Sequence, residues 1–163
     1  MQRTALALAA ALAAAPAGAA EGLVQYSMLR PETALRMAQA ALESCRKAGF
    51  QVAVAVVDRM GVTQVLLRDR LAGPHTPETA RRKAWTAVSF RTDTATLAEV
   101  TQAGKVQSAA RDIPGALMLA GGLPVEAGGS IVGGIGVSGA PGGELDARCA
   151  RDGIAAVEDE INF

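Results

Sequence analysis

The sequence predicts an α+β domain in which helices pack on a five-stranded antiparallel sheet, in the order α-β-β-α-α-β-β-β-α. Three observations support this class. Apolar residues recur at helical spacing in several stretches. Short apolar runs come in groups separated by turn residues, rather than alternating with helices. The length of 163 residues suits one ordinary domain.

The first half of this domain is predicted to be a helix followed by a hairpin. Pro31 suits the first turn of a helix over 31–48 and Gly49 suits its end. The apolar stripe of this helix consists of Leu35, Ala38, Ala41, Leu42 and Cys45. The nearly all-apolar run 52–58 and the run 62–68, joined by a short turn containing glycine, predict two antiparallel strands.

Two helices are expected after the hairpin. Thr76 suits an N-cap and Pro77 the first helical position, so we place a helix at 76–90. A second helix is predicted at about 94–103, and residues 104–115 are expected to be irregular.

The last third contains short apolar runs separated by pairs of glycines. The runs 116–120, 123–127 and 130–138 are predicted to be the strands of a β-meander, because glycine pairs are typical of the turns between them. Residues 144–161 show helical periodicity and are predicted to close the chain as one helix.

The stretch GIGVSG, residues 134–139, has the G-x-G-x-x-G spacing of a dinucleotide-binding turn. That turn requires a helix opening directly from a strand, then a second strand with an acid about 20 residues on. Here the glycines lie inside a strand run, and Asp159, at the matching distance, lies on the final helix. We therefore expect these glycines to let another element pack closely on the strand.

Residues 1–20 have the pattern of a secretory signal peptide: Arg3, an Ala/Leu run and small residues before a cleavage site. Residues 21–163 would then form a single domain in the periplasm or outside the cell. No later apolar stretch is long enough to span a membrane. Cys45 and Cys149 both fall on apolar helix faces, so they either form a disulfide in this oxidising compartment or lie separately in the core.

Charge composition gives no sign of a nucleic-acid partner. The chain has 16 Lys+Arg and 16 Asp+Glu, and the basic clusters 68–70 and 81–83 suit either a solvated face or an anion site. His75 is the single histidine, which excludes zinc sites that need two or more histidines and limits any Ser-His-Asp triad.

The same histidine suits a haem iron, which needs only one axial ligand from the protein. His75 lies in a Gly-Pro loop just before a capped helix, although a lone histidine is also an ordinary loop residue. Met60, in the turn of the hairpin, is a weaker candidate for a soft metal ligand. Arg81, Arg82 and Lys83 follow His75 closely and would neutralise carboxylates such as haem propionates.

The chain resembles a known family in "QVAVAVVDRMGV", "RRKAWTAVSFRTDT" and "GGLPVEAGGSIVGGIGVSGA". These stretches are similar to the GlcG/HbpS family of haem-binding (haem-degrading) proteins, to which the C-terminal domain of PduO-type cobalamin adenosyltransferases is related. The resemblance runs from about residue 30 to the end. Lys83 and Thr86 match the K-A-x-T-A motif of the family, and Gly134 and Gly136 match its glycine strand.

The resemblance implies an antiparallel sheet flanked by helices, assembly into symmetric homo-oligomers from dimers to octamers, and binding of haem or a related tetrapyrrole. The iron ligand is not fixed across the family, so the choice of His75 rests on its chemistry. Lys83 and Thr86 are candidate cofactor contacts that we take first as determinants of fold and assembly.

Three functions are consistent with these features. The first is an exported haem-binding protein that acts as a carrier, buffer or sensor accessory. The second is a haem-degrading or other small-molecule enzyme, although the sequence has no nucleophile elbow and no paired carboxylates at a recognisable spacing. The third is a non-haem oligomeric accessory module of a periplasmic system.

Overall fold

The computed structural model of the protein describes residues 22–162, so the predicted signal peptide at 1–20 lies outside the described residues. In chain order the elements are α1 (Pro31–Lys47), β1 (Ala53–Asp58), β2 (Thr63–Arg68), α2 (Thr76–Phe90), α3 (Thr94–Val100), a 3-10 helix (Ser108–Asp112), β3 (Gly122–Ala127), β4 (Ser130–Ser138), α4 (Gly143–Ala155) and α5 (Glu158–Ile161). No helix in this part of the chain is both long and apolar enough to cross a bilayer.

The sheet is antiparallel, with the strand order β2-β1-β4-β3. The α+β class is therefore confirmed, but the predicted five-stranded sheet is wrong because the described sheet has four strands. The two hairpins, β1–β2 and β3–β4, join through the pairing of β1 with β4. The hairpin predicted at 52–68 is present, and its first strand is central, as predicted.

The missing strand is the predicted run 116–120. Its backbone groups bond to side chains of α2 instead of to another strand. The guanidinium of Arg82 donates to the carbonyls of Gly115 and Ala116, and the N–H of Leu117 donates to the Thr86 hydroxyl at 2.9 Å. Since these groups already have partners, the run contacts α2 and does not lengthen the sheet.

The predicted helix at 144–161 is also corrected, because it is two helices. The chain leaves α4 after Ala155, and Val157 has a φ of −122° before α5 begins. Val157 is nevertheless buried in the core, at 1% exposure. The apolar pattern therefore continues across the break, and periodicity alone does not reveal the break. Similarly, α3 ends at Val100, earlier than the predicted residue 103.

The main core lies between one face of the sheet and the helices α1 and α4. It is built from alternate residues of the central strands and from small or slender side chains of the two helices. Val54, Val56, Ile135, Met37 and Ala150 are all fully buried in it. This face therefore has an ordinary layer of interdigitating side chains.

On the other face, α2 packs on the backbone of β4. A Cβ atom added to Gly136 would lie 2.1 Å from the carbonyl oxygen of Ala80, and one added to Gly134 would lie 2.5 Å from the Val88 side chain. The expectation that GIGVSG lets another element approach the strand closely is confirmed. The helix that approaches is the one that carries most of the candidate site residues.

A disulfide joins α1 to α4. Cys45 and Cys149 are bonded, with Cα atoms 5.5 Å apart and a separation of 104 residues in sequence. Of the two alternatives left open by the sequence, the structure has the disulfide. Both cysteines are buried, and Gly153 of α4 lies against Ala41 of α1, so the bond closes an already tight helix pair.

We expect the double variant Cys45→Ala/Cys149→Ala to lose about 3 kcal/mol of the free energy of unfolding, because the bond restrains a long loop in the unfolded chain. Urea unfolding followed by circular dichroism measures this loss. The wild-type protein treated with dithiothreitol should unfold at a similarly lowered urea concentration. Equal midpoints for the oxidised and reduced wild type would contradict the prediction.

Candidate functional site

The loop between β2 and α2 is fixed by hydrogen bonds at both ends. The N–H of Asp69 donates to the carbonyl of Val52 at 2.9 Å. The hydroxyl and the N–H of Thr76 both donate to the carbonyl of Gly73, at 2.8 Å and 3.0 Å. The sequence predicts Thr76 as the N-cap of α2. In the structure the Thr76 hydroxyl donates to the preceding loop instead of accepting from the helix, and His75 is the residue that precedes the helix. His75 therefore has a defined backbone position.

The imidazole of His75 is exposed and folds back over Gly73. A Cβ atom added to Gly73 would lie 2.7 Å from His75 Cε1 and 3.0 Å from Nδ1. Within residues 22–162 the ring accepts and donates no hydrogen bond, while the carbonyl of His75 accepts one from the Thr79 hydroxyl at 3.0 Å. The ring nitrogens are thus available to a ligand, on a backbone that is already held in place.

Arg81 and Arg82 lie within two turns of His75, and both have partners in the chain. Arg81 forms a bidentate ion pair with Glu78, in which Nε and Nη2 of the guanidinium donate to Oε2 and Oε1 of the carboxylate at 2.8 and 2.7 Å. This hydrogen bonding lowers the pKa of the Glu78 carboxyl. The Glu78 side chain is 61% exposed, so the pair contributes under about 1 kcal/mol, and an incoming carboxylate could replace it. Arg82 instead holds the carbonyls at 115–116, as described above.

Lys83 is buried in the interior, where it pairs with Asp146. Its Nζ lies 2.8 Å from Asp146 Oδ2 and donates to the Val137 carbonyl at 2.9 Å. Asp146 Oδ1 accepts the N–H of Ala140 at 3.0 Å. Burial lowers the pKa of Lys83 and raises that of Asp146, and the charge of each partner opposes these shifts. The pair connects α2, β4 and α4, and neither charge faces solvent.

Thr86 is also buried, one turn further along the helix, where its hydroxyl accepts the N–H of Leu117. The structure thus places the exposed His75 and the partly exposed Arg81 within two turns of each other along α2, whereas Lys83 and Thr86 are buried in the interior. Whether any of them contacts a cofactor stays a prediction.

Met60 lies at the opposite end of α2. Its exposed side chain borders a polar groove beside Val88 and Arg91, at the C-terminal end of the helix. Val88 follows His75 by 13 positions, which is about 20 Å along a helix axis. His75 and Met60 of one chain therefore cannot bind the same metal ion.

Asp146 was not identified from the sequence, although a signal for it was present. It lies at helical spacing with Ala150, Gly153 and Val157, all of which are buried. An acid in an apolar stripe indicates a buried charge that needs a cation. Nothing in the sequence identifies that cation as Lys83, 63 residues earlier.

Comparison with known proteins gives a family match that covers most of the chain. Residues 29–155 match the family model described as haem degrading protein HbpS-like. The corrinoid adenosyltransferase PduO of Salmonella typhimurium is 32% identical over 124 residues, which are 75% of this chain and 37% of that protein. The chain therefore spans little more than a third of the length of this curated relative.

Solved structures show the same relationship. A double mutant of HbpS from Streptomyces reticuli has a TM-score of 0.79 and 49% identity, covering 89% of this chain and 98% of that chain. A PduOC:heme complex has a TM-score of 0.74 and 30% identity, and the match covers 79% of this chain and 94% of that chain. The Klebsiella pneumoniae protein ORFY, at 24% identity and a TM-score of 0.82 over 86% and 98% of the two chains, shares the fold.

Proposed function

Since the chain belongs to the family described as haem degrading protein HbpS-like, we propose that it binds haem or a related tetrapyrrole and acts as an exported carrier, buffer or sensor accessory. The observation that carries the proposal is the PduOC:heme complex, a haem-bound relative with the same fold at 30% identity. The predicted signal peptide at 1–20 supports export, and so does the disulfide, because such bonds persist mainly in oxidising compartments.

The surface around His75 suits a haem group. The imidazole has no hydrogen-bond partner in the described chain, and imidazole nitrogen is a common axial ligand of haem iron. Leu71, in the same loop, is 78% exposed and offers apolar contact to a porphyrin face. Arg81 lies six positions after His75, about 9 Å along the helix axis and about 120° around it, so its long side chain would have to extend toward His75 to meet a propionate.

When bound, the iron would supply ligand exchange and electron transfer. The contribution of this chain is to hold the imidazole on a fixed backbone and to provide a cation for the propionates. Lys83 and Thr86 support this surface from below, since they join α2 to β4, α4 and the segment 116–120.

We expect the mature protein to shift the Soret band of haemin and His75→Ala to weaken haemin binding at least about tenfold, or about 1.4 kcal/mol, because the axial ligand is lost. Absorbance titration measures both effects. Met60→Ala is the matched control, since it removes a soft ligand from the other end of α2 and should leave the titration unchanged. Gly73→Ala should alter the spectrum while His75 is retained, because the new methyl group displaces the imidazole. A spectrum equal to that of free haemin throughout would overturn the proposal.

A second candidate, haem breakdown, is favoured by the description of the family itself. Incubation of the haem-loaded protein with ascorbate or peroxide tests it. Conversion to an open tetrapyrrole, with iron release faster than from free haemin, would support an enzyme. Loss of the Soret band at the rate of free haemin would leave binding as the function.

A further inference from the structure

A groove between α1 and α4, which His75 does not line, runs along the outside of the disulfide. It has a volume of about 640 Å³. Its apolar lining comes from Ala40, Ala48, Phe50, Leu145 and Cys149. All of these except Cys149 are at least partly exposed, so a molecule from solvent can reach them. The groove therefore has an accessible apolar floor.

The two helices that form the groove are antiparallel. Cys45 of α1 is bonded to Cys149 of α4, and one turn away Gly153 of α4 lies against Ala41 of α1. Residues that follow Cys45 on α1 therefore lie opposite residues that precede Cys149 on α4. The disulfide divides the groove into two ends.

The charged side chains that line the groove are exposed, and each end has one sign of charge. Lys47 and Arg148 lie on one side of the disulfide, so a cation is opposite a cation. Glu43 and Asp152 lie on the other side, so an acid is opposite an acid. On each helix the acid and the cation are four residues apart, which is about 6 Å along the axis. The groove thus has a positive end and a negative end.

The chain does not neutralise these two ends. Opposite charges four residues apart on a helix attract each other. Within residues 22–162, however, no ion pair joins Glu43 to Lys47 or Arg148 to Asp152. Glu43 lies 4.0 Å from Arg46, whose guanidinium also bonds to another carboxylate. A ligand that brings the opposite charge to each end would relieve the repulsion between the like charges.

We propose that this groove binds a small zwitterion of the ω-amino carboxylate class, in which an apolar chain separates the two charges. The carboxylate pairs with Lys47 and Arg148, and the ammonium group pairs with Glu43 and Asp152. The methylene chain between them lies along the apolar floor. A phosphate ion does not suit the groove, because it has no cation for the negative end and no apolar surface. An α-amino acid holds its two charges closer together than the two ends of the groove are.

NMR titration of the isotope-labelled protein, without haemin, tests the proposal with four probes. They are 5-aminovalerate, its singly charged analogues pentanoate and pentylamine, and inorganic phosphate. We expect 5-aminovalerate to shift the amide signals of residues 43–48 and 148–152. It should bind about fivefold more tightly than either analogue, because one more exposed ion pair contributes up to about 1 kcal/mol. Phosphate should bind more weakly than pentanoate, since it gains nothing from the apolar floor.

Two variants assign the ends of the groove. Arg148→Gln should weaken binding of 5-aminovalerate and pentanoate about fivefold and leave pentylamine unchanged. Glu43→Gln should weaken 5-aminovalerate and pentylamine and leave pentanoate unchanged. The matched controls are Arg151→Gln and Glu99→Gln, at exposed residues that do not line the groove, and both should bind like the wild type.

The proposal is overturned if pentanoate or phosphate binds as tightly as 5-aminovalerate, or if the shifted signals lie elsewhere in the chain. It is also overturned if both variants weaken all probes equally. A change in the sedimentation coefficient of either variant would make the groove an interface between copies of the chain and would overturn it too. Because none of these measurements involves haemin, their failure is distinguishable from failure of the proposed haem binding.

Discussion

Replacement of Gly136 by alanine is expected to cost at least about 3 kcal/mol of the free energy of unfolding, at the upper end of the range for overpacked cores. The new methyl carbon would lie 2.1 Å from the carbonyl oxygen of Ala80 and 2.7 Å from the amide nitrogen of Ala84. Both atoms belong to the backbone of α2. No side chain can turn aside, so the whole helix must move away from the sheet.

Thermal unfolding by circular dichroism measures this loss. A cost of this size lowers the melting temperature by about 10 °C in a domain of this length. Gly142→Ala is the matched control: Gly142 has an extended backbone at φ −153°, and its added Cβ would have no neighbour within 4 Å. If Gly136→Ala melts within a few degrees of the wild type, the close approach of α2 is not essential for stability.

The second large effect is expected at the buried pair of Lys83 and Asp146. Lys83→Met should cost about 3–5 kcal/mol, because it leaves a carboxylate buried without its cation. The double variant Lys83→Met/Asp146→Asn should recover much of this loss. An asparagine carries no charge and still accepts the N–H of Ala140 through its side-chain oxygen. A double-mutant cycle from urea unfolding gives the coupling energy between the two positions.

The pH dependence of Lys83→Met follows from the raised pKa of Asp146. The native state of this variant holds the Asp146 proton more tightly than the unfolded chain does. Its stability should therefore be greatest below the ordinary aspartate pKa and decrease as the pH rises to the raised native value. The double variant Lys83→Met/Asp146→Asn should lack this pH dependence of the free energy of unfolding, because asparagine does not titrate. If Lys83→Met loses the same free energy of unfolding, relative to the wild type, at acidic and at neutral pH, the carboxylate of Asp146 is not buried without a partner in this variant.

The elements that sequence reasoning predicted correctly are those specified by local signals. Pro31 and the apolar stripe define α1, and Pro77 marks the first turn of α2. The alternating and continuous apolar runs define the two hairpins. Such patterns report which side of an element is buried, and they operate within a few residues.

The errors arose where distant residues decide the structure. The run 116–120 has the composition of a strand, but Arg82 and Thr86 supply its hydrogen-bond partners. Their side chains reach it from a helix about 30 residues earlier. The same limit applies to the site: the position of His75 follows from its loop, whereas the burial of Lys83 depends on Asp146 in another helix. A local sequence pattern does not show which distant residues pair in this way.

The contact of α2 with bare strand backbone has a consequence for recognition. A helix that rests on side chains has room to slide as they change rotamer, but α2 rests at Gly134 and Gly136 on atoms that cannot rearrange. A molecule that docks beside His75 would therefore meet a backbone that already has its final position. Little ordering would be required of the protein on association, which favours affinity. The few exposed side chains of the loop between β2 and α2 would then determine which ligands bind.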